Sequence, residues 1–131
     1  MLCVKTTLRI SPIHGLGCFA AEPIAAGTIV WRLDPKFDVS IEAEELLRYD
    51  LCQQEFLKIY TYGQCEAGRK YYVLCGDHAR HMNHSSQPNV IEAGHGEASN
   101  VASRDIDVGE ELTCDYFSFD TDADSKLGGK G

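Results

Sequence analysis

No C-x-x-C pair occurs among the six cysteines, Cys3, Cys18, Cys52, Cys65, Cys75 and Cys114. That absence removes the paired-ligand pattern of zinc ribbons and dithiol redox motifs. No apolar run approaches the roughly 20 residues that a helical membrane span needs. The opening MLCVKTTLRI also lacks the apolar stretch of a signal peptide. These features predict an intracellular protein, cytoplasmic if the source is bacterial, with reduced thiols, no disulfides and no membrane partner.

Positive charge is scarce as well: 12 Lys and Arg stand against 20 Asp and Glu, for a formal net charge of -8. Contacts to nucleic-acid phosphates draw on clustered Lys and Arg, so direct nucleic-acid binding is disfavoured. An acidic surface attracts basic partners and also aids solubility.

What is present is an ordinary globular balance, 44% hydrophobic and 24% charged over 131 residues, enough for one domain around one core. The first third alternates short β-prone runs, TTLRI, CFAAEPI and GTIVWRL, with Gly- and Pro-containing turns, which predicts a small β-meander. Between Ser40 and Tyr62 the apolar spacing turns helical through Ile41, Leu46, Leu47, Leu51, Phe56, Leu57 and Tyr60. Asp50 followed by Gln53 resembles a capping box, so two short helices are expected rather than one. KYYVLC returns to strand, and Asp77 is placed to cap a single helical turn. Short strands follow Pro88, and DTDADSKLGGKG at the end offers no apolar anchor, predicting a flexible tail over 120–131.

Three chemistries compete for the motifs. GLGCFA fits G-x-G-x-x-A, but that dinucleotide fingerprint requires a helix opening from it, and Pro23 would fall within that helix. Cys75, His78, His81 and His84 recur every three residues and could share a face as zinc ligands. The plainer alternative has these histidines hydrogen-bonding to backbone in a crowded turn, and no metal is predicted.

The third reading takes three segments together. HGLGCFAAEPIAAGTIV, ARHMNHSSQPNV and ASRDIDVGEELTCDY, in this order, closely resemble a SET domain, the fold of many protein lysine methyltransferases. The resemblance covers roughly residues 8–119, and NHSSQPN followed some twenty residues later by GEELTCDY is its most specific part. It implies a mostly β, β-clip architecture of short curved sheets, with a knot-like C-terminal arrangement and a small helical insert at about 41–62. The domain would span 1–119.

The resemblance also implies a site. The backbone at Gly15, Leu16 and Gly17 would lie against the methionine part of S-adenosylmethionine, and Asn83 would bind the same end through its amide. His84 would read the adenine edge through its backbone, with Arg80 as a cofactor contact or a structural brace. Tyr116 matches the catalytic tyrosine, and Glu111 would support the knot. The chain departs from the family in three ways. It has no cysteine-rich segment after Tyr116, which resembles a minimal stand-alone protein and leaves Phe117 or Phe119 to cover the cofactor. His81 replaces the usual aromatic of the family motif. Cys114 stands where Phe or Tyr commonly helps set how many methyl groups are added.

The expected reaction is methyl transfer to a lysine of a basic protein or peptide, histone-like, nucleoid or ribosomal. A small zinc protein and an inactive SET-like binding module are the alternatives. The oligomeric state is open, a homodimer included.

Overall fold

The computed structural model describes residues 1–94 and 98–127. Strands β1 (Thr6–Ile10) and β2 (Leu16–Ala20) form an antiparallel hairpin, with Thr6 opposite Ala20 and Ile10 opposite Leu16. The chain turns back between them as Ser11 N–H donates to the Gly15 carbonyl at 2.7 Å, with Gly15 at φ +47°. That left-handed conformation suits glycine. Because β2 starts at Leu16, no helix opens from the Gly15-x-Gly17 sequence, and the dinucleotide reading fails on geometry.

Two three-stranded antiparallel sheets follow. One has β3 (Ile29–Arg32), β9 (Ser99–Ala102) and β8 (Val90–Glu92) in the order β3-β9-β8. The other has β4 (Val39–Glu42), β6 (Arg69–Leu74) and β5 (Thr61–Glu66) in the order β4-β6-β5. Helices α1 (Ala43–Leu46) and α2 (Leu51–Tyr60) lie between β4 and β5, so the insert is narrower than the expected 41–62. Asp50 N–H donates to Gln53 Oε1 at 3.0 Å and fixes the break between the helices, as expected. Of the apolar helix residues only Leu46 and Leu57 are buried; Leu47 and Leu51 face solvent. A one-turn helix and a ten-residue helix against a small sheet each offer a narrow buried face.

The main core joins Cys18, Val30, Val90, Ile106 and Leu112 from the hairpin, the β3-β9-β8 sheet and the late segments. A smaller cluster of Ile41, Leu46 and Leu57 sits between the insert and its sheet. All six cysteines are free thiols. Burial pushes the Cys18 and Cys75 thiols up to about 12, so both behave as small apolar groups rather than nucleophiles.

The late motifs meet through a parallel pair, β7 (Asn83–His84) with β10 (Thr113–Cys114). Two residues per strand make a weak ladder, and Asn89 extends it. Its Oδ1 accepts from Thr113 N–H at 2.9 Å, and its Nδ2 donates to the Glu111 carbonyl at 2.9 Å. Buried at 4% exposure, Asn89 acts as a side-chain strand across the junction.

The expected tail begins differently. Asp120, at 6% exposure, accepts Gly63 N–H at 2.8 Å, and Thr121 N–H donates to the Gly63 carbonyl at 3.0 Å. A Cβ on Gly63 would collide with the Thr121 side chain, so glycine lets this segment close on β5. Helix α3 (Ala123–Lys126) follows, with Ala123 buried and Lys70 paired to Asp122 at 2.7 Å. The segment through Leu127 is thus held by a buried carboxylate and a methyl group, anchors that a search for large apolar residues passes over. Residues 128–131 of the expected tail lie outside the described residues.

Candidate active site

Asn83 and His84 are consecutive in β7, and alternation along a strand sends their side chains to opposite sides. Two clusters result. On one side, Asn83 Nδ2 lies 2.9 Å from Glu111 Oε2, 3.0 Å from the His14 carbonyl and 3.4 Å from the Leu16 carbonyl. Ser11 Oγ donates to the same Glu111 carboxylate at 2.7 Å. Asn83 and Glu111 therefore tie the Gly15–Gly17 turn to the late segments. A Cβ on Gly17 would lie 2.9 Å from Glu111 Cδ and 3.0 Å from Ser11 Cβ, so here glycine makes room for the carboxylate. A Cβ added to Gly15 would meet no atom within 4 Å among the described residues, and the neighbouring Leu16 is exposed.

On the other side, His84 Nδ1 accepts the backbone N–H of Tyr116 at 3.2 Å. The Tyr116 hydroxyl donates to the Met82 carbonyl at 2.7 Å. Burial, reinforced by the negative side chains nearby, holds the phenol well above its usual range, so it stays neutral. A turn at Tyr116–Ser118 closes the segment, with Asp115 Oδ1 accepting Phe117 N–H at 3.0 Å. Phe117, exposed, meets the His84 ring edge-on at 5.4 Å.

Tyr116 borders a cavity of about 190 Å³ whose lining includes Tyr62, Met82, Cys114 and Phe119. Phe119 contacts Tyr62 at 5.3 Å and Tyr116 at 6.1 Å, forming an aromatic wall. Cys114 is buried, and its thiol is pushed upward by desolvation, so this wall is apolar. Trp31 Nε1 and Ser99 Oγ, on residues that also line the cavity, are buried without partners among the described residues.

The structure thus gathers Gly15, Leu16, Gly17, Asn83 and Glu111 in one cluster and His84, Tyr116 and Phe117 in another. Arg80 and Phe119 lie around the cavity. Arg80 Nε donates to the Cys75 carbonyl at 3.0 Å, and its guanidinium sits 6.0 Å from the Phe56 ring. The three histidines of the zinc alternative diverge. His78 Nδ1 meets Thr6 Oγ1 at 3.0 Å, His81 stacks edge-on to Tyr60 at 5.2 Å, and His84 is committed to Tyr116. Among the described residues no three His, Cys, Asp or Glu side chains converge. Tyr62, the Met82 carbonyl, Asn89 and Asp120 carry no role that the sequence motifs announce. Of these, Asn89 and Met82 lie within a motif segment, and spacing alone marks neither.

Short sheets laced by a parallel two-residue pair, with a half-buried tyrosine just beyond the last strand beside an aromatic cavity, define a SET-type β fold. The chain belongs to the SET-domain family: the SET domain model matches residues 15–117. Solved structures agree with the fold. The crystal structure of the Chaetomium thermophilum Polycomb Repressive Complex 2 matches with TM-score 0.65 and 25% identity, covering 86% of this chain and 15% of that one. A humanized mutant of that complex bound to an inhibitor gives 0.65 and 22%, covering 93% and 16%. The same complex in an autoinhibited conformation bound to S-adenosylmethionine gives 0.66 and 24%, covering 95% and 16%. The chain therefore spans at most 16% of the length of these matched chains. No curated protein matches it. SET-domain methyltransferases act on lysine and use S-adenosylmethionine.

Proposed function

We propose that this chain transfers a methyl group from S-adenosylmethionine to the ε-amine of a lysine in a basic protein or peptide. The observation that carries this is Tyr116, a neutral phenol whose proton is committed to the Met82 carbonyl at the wall of an aromatic cavity. With that proton engaged, the oxygen offers lone pairs to a lysine N–H and can orient the nitrogen lone pair. The bound cofactor supplies an electrophilic sulfonium methyl.

A lysine must be neutral to attack, against a reference pKa near 10.4; at about pH 7.4 that costs about 4 kcal/mol. Burial against Tyr62, Phe119 and Cys114 disfavours the ammonium and offsets part of this cost. The proton leaves to water before the methyl moves, since the phenol is not a base. The residues present fit the cofactor. The open face at Gly15 and Leu16 suits close backbone approach, and exposed Phe117 beside His84 offers an aromatic edge for a purine. Of the two candidate covers, Phe117 touches the His84 ring and Phe119 the Tyr116 ring, which favours Phe117 beside the purine. The net charge of -8 favours a basic partner, and free thiols suit a reducing, intracellular setting.

Incubation with labelled S-adenosylmethionine and a panel of basic proteins, read by mass spectrometry, tests this. A mass increase on a lysine supports it; cofactor binding without transfer to any lysine points to the binding-module alternative.

A further inference from the structure

The cavity beside Tyr116 already contains a lysine. Lys126, reaching back from α3, has a side chain only 18% exposed and lines the same cavity as Met82, Tyr116 and Phe119. Its Nζ lies 2.6 Å from Asp120 Oδ2, donates to the Thr61 carbonyl, and sits 5.7 Å from the centre of the Tyr116 ring. The Asp120 side chain is 1% exposed, and its other oxygen takes the N–H groups of Gly63 at 2.8 Å and Asp122 at 3.0 Å.

We propose that Asp120 and the Thr61 carbonyl form a docking subsite for a primary alkylammonium, that Lys126 is its resident occupant, and that an incoming lysine takes the subsite by displacing Lys126.

Three features argue for this over a purely structural ion pair. The acceptor set is prebuilt: two backbone N–H groups fix one Asp120 oxygen and leave the other, with a backbone carbonyl, turned to a cation. The position is chemically suited, because the Tyr116 face next to it attracts a cation and the rings of Tyr62 and Phe119 line the same cavity. The segment does not depend on the occupant, since Asp120 with Gly63, the Lys70–Asp122 pair and buried Ala123 anchor it apart from Lys126. A substrate lysine docks charged and must then leave Asp120 for Tyr116, losing its proton to water on the way.

The proposal rests on the methyltransferase reading only for what the cavity is used for, and its test requires no transfer. The probe is a capped lysine, Nα-acetyl-lysine N-methylamide, beside its uncharged norleucine analogue. Each is titrated into isotope-labelled protein while the amide signals of Gly63 and Asp122 are followed by NMR. Lys126→Ala should bind the lysine probe at least tenfold more tightly than the wild type. Lys126→Gln, which keeps a neutral donor for Asp120 and so protects the fold, should fall between. The norleucine analogue should leave both signals unmoved, and Lys126→Ala combined with Asp120→Asn should lose lysine binding. In the wild type, high probe concentrations should shift the Lys126 ε-methylene signals away from their position over the Tyr116 ring. Equal affinity in wild type and Lys126→Ala, equal binding of the norleucine analogue, or an unmoved Lys126 signal at saturation would each overturn the proposal. Methyl transfer to the basic-protein panel is scored separately, so a failed subsite and a failed methyltransferase reading give different results.

Discussion

His84 accepts the backbone N–H of Tyr116 through Nδ1 at 3.2 Å, and this bond fixes the start of the turn that aims the phenol at Met82. The family motif implies a role for His84 through its backbone alone. The side chain also holds Tyr116, the residue to which the proposed reaction assigns the orientation of the amine.

A first prediction separates that positioning role from packing. His84→Ala should lower methyl transfer by about 10-fold or more through a misplaced phenol, since small misplacements are costly in oriented reactions. His84→Asn, whose Oδ1 can stand near the position of Nδ1, should recover much of the rate. Single-turnover transfer, with melting curves as a folding control, reads both; an equal loss in the two variants would assign His84 to packing.

Asn83 gives the second. Its amide joins Glu111 to the carbonyls of His14 and Leu16, so Asn83→Ala frees the Gly15–Gly17 turn. Hydrogen bonds to charged groups contribute about 1.5–3 kcal/mol, and calorimetry should show cofactor affinity weakened at least tenfold. Hydrogen exchange at the turn amides should accelerate in the same variant. Unchanged exchange with weakened affinity would mean that Asn83 acts on the ligand directly instead of through the turn.

These residues also show what the sequence made legible. The alternation of short strands, the helix break at Asp50 and the cap at Asp77 are local, written in hydrogen bonds between residues two or three apart. The family motifs placed Tyr116, Asn83 and Gly15–Gly17 on the map. Two kinds of feature stayed hidden. Asn89 and His84 reach across 24 and 32 residues of chain, where spacing carries no signal. Asp120 and Lys126 looked like solvated tail because both are charged and six positions apart, off the helical repeat. Only the fold shows that β5 closes over the carboxylate.

Gly17 carries a third prediction. Gly17→Ala would press a methyl group into the Glu111 carboxylate and Ser11, and overpacking of this kind typically costs about 1–3 kcal/mol. Pairing it with Glu111→Ala, which removes the clashing group, should restore part of the lost melting temperature if the carboxylate is the cause. No recovery would place the requirement for glycine elsewhere.

His81 introduces a pH dependence. Desolvation, with the neighbouring Arg80 and His78 charges, lowers its pKa below the usual histidine value of 6.5. The unfolded chain therefore takes up a proton at this site at higher pH than the folded one does. Stability is unaffected well above pH 6.5 and declines as pH falls below it, until the folded-state pKa is passed. His81→Phe, which keeps a ring against Tyr60, should flatten this part of the acid limb in denaturant titrations run between about pH 7.5 and 5. An unchanged limb would assign the acid sensitivity to other groups.

Tyr116→Phe is the sharpest test of the chemistry, and the hydrogen bond to Met82 changes what it should show. Removing the hydroxyl takes away the oxygen proposed to orient the amine, which should reduce single-turnover transfer by about 10² or more while cofactor affinity stays within a few-fold. It also strips the Met82 carbonyl of a buried partner, a loss of about 1–3 kcal/mol, so the melting temperature should fall as well. A purely structural tyrosine would produce the second effect without the first. The two are separated by measuring transfer well below the melting transition, where the variant is fully folded. A near wild-type rate under those conditions, alongside a lowered melting point, would make Tyr116 a structural brace and leave the proposed methyl transfer without its orienting group.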